Sequence, residues 1–372
     1  MTALLLAAAG VACAAPSVPG TKARAGTPPP VVVGLLETPG TFAGRMAAGA
    51  RAAADEVNAS GGVGGRPLSL RLIQDPNPWK TGAGLMARLS SEPGLAALIG
   101  PQDGAGAHLA AQIATRRRIP IIVLSPEESL TQAKDPWVFR AVPDDAEQAK
   151  ALLRWAAGPW AKGPGRAAGA RGRRAAIVVP EGREGRERSR SLAKACKALG
   201  VSVEAVIAFD AGAAGTPASA DAELPKGCDF LLLWLDPGPA LRWFQGPGRA
   251  LGTGGILASL RLDDSEFLAA APPQAEGLAA PLLRPGQPGA AGAAPPAAPR
   301  DVLEAAAYDA VLAVAASARL RGPGTGAVRE GLAQGGPWTG RSGVFRFDSQ
   351  GRREGGLAVG VLRRSGVGAR FE

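Results

Sequence analysis

The sequence predicts an α/β protein in which strands and helices alternate along the chain, and two stretches carry that reading. The first is Asp55–Asp75, DEVNASGGVGGRPLSLRLIQD, which ends one helix, turns on glycine and starts a strand. Upstream of it Ala43, Met46, Ala47, Ala50, Ala54 and Val57 recur at three- and four-residue spacing, one apolar face of a helix. Asn58 and the Gly61-Gly62 pair stop that helix, because glycine accepts the positive φ that a helix C-terminus often requires. Leu68, Leu70 and Leu72 then alternate with Ser69 and Arg71, the period of a strand with one buried face. The second stretch is the apolar run Val31–Leu36, which precedes the helix and completes a βαβ unit.

The alternation continues with a helix over Thr81–Ser90, a strand at Leu95–Ile99, a helix over Ala105–Thr115 and a buried strand at Ile119–Leu124. Short loops between such elements imply a parallel sheet with helices on both faces. Farther on come a strand at Ala175–Val179, a helix over Glu184–Leu199, strands at Ser202–Phe209 and Phe230–Leu235, a helix after Pro239 and a strand at Gly255–Ser259. Gly158–Arg174, rich in Gly, Ala and Arg, reads as an exposed loop, and the Pro/Ala/Gly segment Pro281–Pro299 is expected to build no packed core. Asp301 suits the N-cap of a helix running through Tyr308 and Val311 to Leu320.

A chain of 372 residues has room for two or three domains and a sizeable core, and its 46% hydrophobic and 20% charged residues are ordinary globular usage. The net charge of +10 raises the question of nucleic acid or a membrane surface. Lys and Arg are scattered, however, apart from Arg116–Arg118 and the Arg166–Arg174 region, and lack aromatic interleaving, so they read as solvated faces. Ala3–Ala12 is too short to span a bilayer but suits the core of a signal peptide over residues 1–14, followed by a flexible tether over 15–30. The missing basic n-region leaves open a true start upstream. Ala12 and Ala14 form an A-x-A cleavage site, whereas Cys13 is a lipidation candidate with Gly10 where lipoprotein signals usually carry leucine. Of the other cysteines, Cys196 shares a helical face with Leu192 and Leu199, which favours a buried free thiol over a disulfide with Cys228.

Catalytic chemistry finds little support. The single histidine, His108, rules out multi-histidine metal sites and reads as a structural or surface residue. The sequence has no C-x-x-C, H-E-x-x-H, G-x-S-x-G or P-loop motif. The adjacent carboxylates Glu127-Glu128, Asp144-Asp145 and Asp263-Asp264 point in different directions on any regular element, so none is an acid/base dyad by itself. No enzyme, metal or cofactor is expected. A binding cleft is easier to argue, because ligands of open α/β sheets sit outside the carboxyl ends of the strands. That singles out the loops Gly100–Gly106 and Ser125–Ser129, the first of which opens a helix whose free N–H groups and dipole favour a carboxylate.

The run from Gly34 to Asp75, with Glu56, Asn58, Gly61-Gly62-Val63 and Arg66, resembles type I periplasmic solute-binding proteins of the leucine/isoleucine/valine-binding family. Ile99-Gly100-Pro101, Ile119-Pro120 leading to Ser125-Pro126, Phe139-Arg140 with Pro143-Asp144, Ala275-Glu276-Gly277, Tyr308–Val311 and Gly343–Gly351 with Phe347-Asp348 follow in matching order, over about residues 31–364. The resemblance implies two Rossmann-like lobes joined by a three-segment hinge. Residues 31–141 plus 277–338 would form the first lobe and 142–276 plus 339–372 the second. It further implies a periplasmic or extracytoplasmic, monomeric protein that hands a small polar solute, an amino acid or related compound, to the membrane subunits of an ABC importer. The family's first-lobe hydroxyls hold the ligand carboxylate. Here Gly104, next to Asp103, replaces the first of them, Ser129 matches the second, and Glu127, near Ser125, stands where a backbone group usually meets the ligand's ammonium. A glutamate there favours a basic or cationic ligand. The second lobe has Glu184-Gly185 without the expected aromatic residue, and Asp263, preferred over Asp264, is its acidic candidate. Phe42 and Trp79 are candidate cleft walls. The departures at Gly104 and Glu184 also suit a second reading, a ligand-sensing or partner-binding lipoprotein module of the same fold that has lost transport.

Overall fold

In the computed structural model, which describes residues 29–40, 42, 44–74, 82–132, 136–158, 173–212, 227–250, 255–283, 301–365 and 368–372, VVVGLLE forms β1 (Val31–Glu37), buried along its whole length. The helix predicted behind it is α1 (Arg45–Ala59), which buries Met46, Ala47, Ala50, Ala54 and Val57. Its end is fixed by side chain and glycine together. Asn58 accepts from Leu68 N (2.7 Å) and donates to Leu68 O (2.9 Å), pairing the helix end with the next strand as a neighbouring strand would. Gly62, at φ 70°, lies where a β-carbon would stand 2.2 Å from Arg66 O. The first lobe continues through β2 (Leu68–Gln74), α2 (Ala83–Ser90), β3 (Leu95–Ile99), α3 (Gly104–Arg117), β4 (Ile121–Val123) and β5 (Val138–Arg140). These strands form a parallel sheet in the order β2-β1-β3-β4-β5.

After β5 the chain crosses over. It then forms α4 (Asp145–Ala157), β6 (Arg173–Pro180), α5 (Gly182–Ala198), β7 (Val201–Phe209), β8 (Phe230–Leu233), α6 (Pro237–Gln245), β9 (Ile256–Ala258), α7 (Ser265–Ala270) and β10 (Ala279–Leu283). A second crossing leads to α8 (Val302–Arg321), capped by Asp301 as the sequence predicts, then α9 (Thr325–Gln334) and the antiparallel trio β11 (Trp338–Gly340), β12 (Gly343–Phe347) and β13 (Arg353–Glu354). A third crossing at Gly355-Gly356 leads to β14 (Leu357–Ser365) and β15 (Gly368–Phe371). These close a seven-stranded sheet ordered β15-β14-β10-β9-β8-β6-β7, in which β14 and β15 run antiparallel to their neighbours. Each large sheet is covered on both faces. Met46, Val57, Tyr308 and Val311 fill one side of the first and Met86, Leu98 and Ala107 the other. Trp243, Phe244 and Phe267 flank the second sheet on one face, and Leu152, Leu192 and Trp234 on the other.

The two-lobed α/β architecture with three crossings is therefore the observed one, but the lobe boundaries expected at 277 and 339 need correction. Ala279–Leu283 is a buried strand of the second lobe's sheet, although its AAPLL sequence continues into the Pro/Ala/Gly segment and was expected to lie partly outside any core. β11–β13 belong instead with the first lobe, because Phe345 and Phe347 pack against Phe139 and Tyr308 in its core. Cys196 is a buried free thiol, pushed up to about 11 by burial, and Cys228 is also free. The signal segment 1–14, Cys13, most of the tether and of the two low-complexity segments, and Trp79 lie outside the described residues.

Candidate functional site

The loops that leave the carboxyl ends of the strands in both lobes face one another, as expected for open parallel sheets. From the first lobe come Thr38 after β1, Gln102 to Gly104 after β3, and Ser125 to Ser129 after β4. From the second come Arg183 after β6, Asp236 after β8 and Arg261 after β9. Asp103 caps α3, accepting from Gly106 N (2.6 Å) and from the Thr38 hydroxyl. The carboxylate that the free helix terminus was expected to attract is thus supplied in part by the chain's own Asp103.

Glu127 is the centre of the polar contacts. Its Oε1 is 2.7 Å from His108 Nε2, accepts from Ser129 Oγ at 3.0 Å, and receives Arg183 Nη2 at 2.7 Å, while Oε2 receives Arg183 Nη1 at 3.1 Å. Burial alone would raise its pKa, but the hydrogen bonds from His108 and Arg183, the charge of His108 and the Ser129 hydroxyl outweigh it and hold the carboxyl at about 2. Gly104 explains how the carboxylate fits, since a β-carbon there would lie 2.0 Å from Glu127 Oε2. The space that a side chain at position 104 would take is filled by the Glu127 carboxylate. His108, read from sequence as structural or surface, contacts this carboxylate directly. Ser125 is buried and accepts weakly from Glu127 N at 3.4 Å.

Two further contacts join the lobes. Lys194 on α5 pairs with Glu128, and Arg261 donates to Gln102 O while its guanidinium lies 5.1 Å from the Phe42 ring. Behind them is a charge network in the second lobe, built on the buried Arg188 and Arg261. Arg188 donates to Trp234 O (2.8 Å) and pairs with Asp236 (3.0 Å) and Glu184 (2.5 Å), and Asp236 also meets Arg261 at 3.4 Å. Burial opposes ionisation of Asp236, yet the two arginines hold its carboxyl below the usual range.

The structure therefore brings Gly104, Glu127 and Ser129 together, with Asp103 and Ser125 beside them and Phe42 under Arg261. Glu184, a candidate from the second lobe, is helical as the sequence predicts, but its carboxylate is turned to its own helix. It lies in the first turn of α5 and is bound to Arg188. Asp263, the preferred acidic candidate, gives its backbone carbonyl to Val302 N at the second crossing, and Asp264 caps α7 beside Arg45. The second-lobe carboxylate that meets arginines is instead Asp236. Sequence reading missed Arg183, Asp236 and Arg261. Their signal was position, since each lies within a few residues of a strand's carboxyl end.

A family model described as periplasmic binding protein matches residues 32–366. No curated protein sequence matches the chain. Among solved structures, an ABC transporter substrate-binding protein from Desulfitobacterium hafniense is 22% identical, with a TM-score of 0.69 over 92% of this chain and 99% of that one. The branched-chain amino acid transporter substrate-binding protein LivJ of Streptococcus pneumoniae, in complex with isoleucine, is 17% identical, with a TM-score of 0.68 over 92% and 99%. A solute-binding protein from R. palustris, in complex with 4-hydroxybenzoate, is 16% identical, with a TM-score of 0.68 over 92% and 95%. At these identities the likeness is one of fold.

Proposed function

Because the chain belongs to the periplasmic binding protein family, we propose that it is an exported solute-binding protein, not an enzyme, that captures a small polar solute between its lobes for an ABC importer. The observation that carries this reading is the meeting of strand-end loops from both lobes around Glu127, bridged by Arg183. Three crossings permit the hinge closure by which such two-lobed proteins enclose their ligands. Proteins of related fold hold isoleucine or 4-hydroxybenzoate, which supports testing amino acids and related organic solutes as candidates. The protein would act outside the cytoplasm, released by cleavage after Ala14 or anchored through Cys13. Charge-assisted hydrogen bonds in a closed cleft suffice for micromolar affinity, about −8 kcal/mol.

A thermal-shift screen of the purified protein against amino acids, polyamines, amides and aromatic acids tests this. Binding to the native state stabilises it, so one chemical class should raise the melting temperature by several degrees. A flat response across the panel would reject solute capture. One observation favours the second reading, a sensing or partner-binding module: Glu127–Arg183 and Glu128–Lys194 pair charges of the two lobes with each other. A partner retained in pull-down by the solute-free protein would decide for it.

A further inference from the structure

We propose that Glu127 is the recognition group for a cationic solute, one whose guanidinium or ammonium takes the place that the Arg183 guanidinium holds against it. The inference rests on the solute-binding reading above and names the chemistry at its site. Three observations support it. First, the anion in this part of the cleft is built in. Glu127 is held within its own lobe by His108 and Ser129, and Gly104 leaves the space that its carboxylate occupies. An incoming carboxylate would meet that fixed negative charge, with Asp103 capping the same helix.

Second, the two partners of the Glu127–Arg183 pair differ in attachment. The Glu127 side chain is 11% exposed, whereas that of Arg183 is 44% exposed and comes from the opposite lobe. Lobe opening separates the pair and leaves the carboxylate in place, held by His108 and Ser129 of its own lobe. The bidentate contact to Arg183 shows that a planar fork of donors fits this carboxylate. Third, there is space for the body of a solute. An open groove of about 610 Å³ runs along α3 in the first lobe, lined by His108, Leu109, Gln112, Thr115, Arg116 and Ser129. Glu127 does not itself line it, but two of the residues that hold Glu127 form part of its wall, and Arg116 at its far end suits a solute that carries an anionic group away from its cation. From His108 to Thr115 the helix advances about 10 Å at 1.5 Å per residue, the length of a short aliphatic chain.

Arg183 then acts as an internal competitor. A solute cation must displace it, so part of the binding free energy is spent on breaking an existing pair, and removing Arg183 should tighten binding.

Isothermal titration of the full chain with agmatine, arginine and putrescine, and with leucine and benzoate for comparison, tests the assignment. At least one cationic probe should bind, Arg183→Ala should bind it about tenfold more tightly, and Glu127→Gln should bind it at least tenfold more weakly while keeping the wild-type circular dichroism. Binding of leucine or benzoate with none of the cations would overturn the cationic assignment and leave solute capture standing. Cation binding that is unchanged in Glu127→Gln would likewise overturn it. A panel in which nothing binds wild type or Arg183→Ala overturns both readings.

Discussion

At Gly104 a β-carbon would meet Glu127 Oε2 at 2.0 Å and Arg183 Nη1 at 3.4 Å. The atoms in the way are the ends of flexible side chains, so Gly104→Ala should still fold but expel the carboxylate from its hydrogen bonds with His108 and Arg183. Overpacking of this kind costs about 1–3 kcal/mol, and urea unfolding at pH 7 should show a loss in that range. The same carboxylate makes a pH prediction. Its folded pKa, about 2, lies below its ordinary value of 4.5. The stability it contributes is therefore present above pH 4.5 and is lost as pH falls toward 2. Glu127→Gln should flatten the part of the melting-temperature profile between those limits. A variant profile parallel to wild type over that window would refute the assignment. At this scale the sequence showed only half the site. Gly104 and Glu127 stood out because each departs from the family pattern, but nothing in one dimension says that one fills the space left by the other. Arg183, on a helix of the other lobe, gave no sign of facing either.

Among the elements, the first crossing shows why the short motifs of the sequence were informative. Phe139-Arg140 with Pro143-Asp144 surrounds a fully buried arginine. Arg140 donates to Thr131 Oγ1 (2.6 Å), Val142 O (3.1 Å), Asp144 (2.8 Å) and Glu147 (3.3 Å), while its own N–H reaches Gly351 O (2.8 Å). Asp144 and Glu147 form the capping box of α4, so one guanidinium ties the end of β5, the start of the next helix and the turn before β13. Removing one member of a buried ion pair leaves its partners uncompensated and typically costs 3–5 kcal/mol. Arg140→Met should lose about that much in chemical denaturation, and a loss under 1 kcal/mol would mean that water replaces the guanidinium. Tyr308-Asp309 is a second such knot. Asp309 accepts from Arg341 N (2.7 Å) and from the Ser342 hydroxyl and pairs with the buried Arg353, which fixes the β11–β12 hairpin on α8. Helices and strands with clear apolar periods, such as α1 and β1, were legible from spacing alone. β10 was not, because Pro281 and the Pro/Ala/Gly run after it mask a strand whose burial comes from neighbours far away in the chain. The two-residue β13 and three-residue β11 are too short to show any period.

For the whole molecule, the question is what holds the lobes together. Number and order of elements told of two lobes, but not of their contact, which depends on side chains about 55 to 160 residues apart in sequence. The exposed Lys194–Glu128 pair should contribute little, since solvent-exposed ion pairs are typically worth under about 1 kcal/mol. Arg183–Glu127 has one largely buried member and two parallel hydrogen bonds, and Arg261 adds a neutral contact to Gln102 O. If charge pairing sets the closed arrangement, replacing both cations by Arg183→Glu and Lys194→Glu places carboxylates opposite Glu127 and Glu128 and should drive the lobes apart. Small-angle X-ray scattering would then give a larger radius of gyration for the double variant, with unchanged far-UV circular dichroism because neither residue supports the core of its lobe. Raising the salt concentration should expand wild type less than the double substitution does, because the Glu127 pair is in direct contact and partly shielded from solvent. Superimposable scattering curves for wild type and variant would show instead that closure is set by the uncharged contacts, Arg261 on Gln102 O and over Phe42 and the joint at Asp263 O–Val302 N, and that the cross-cleft pairs merely follow it.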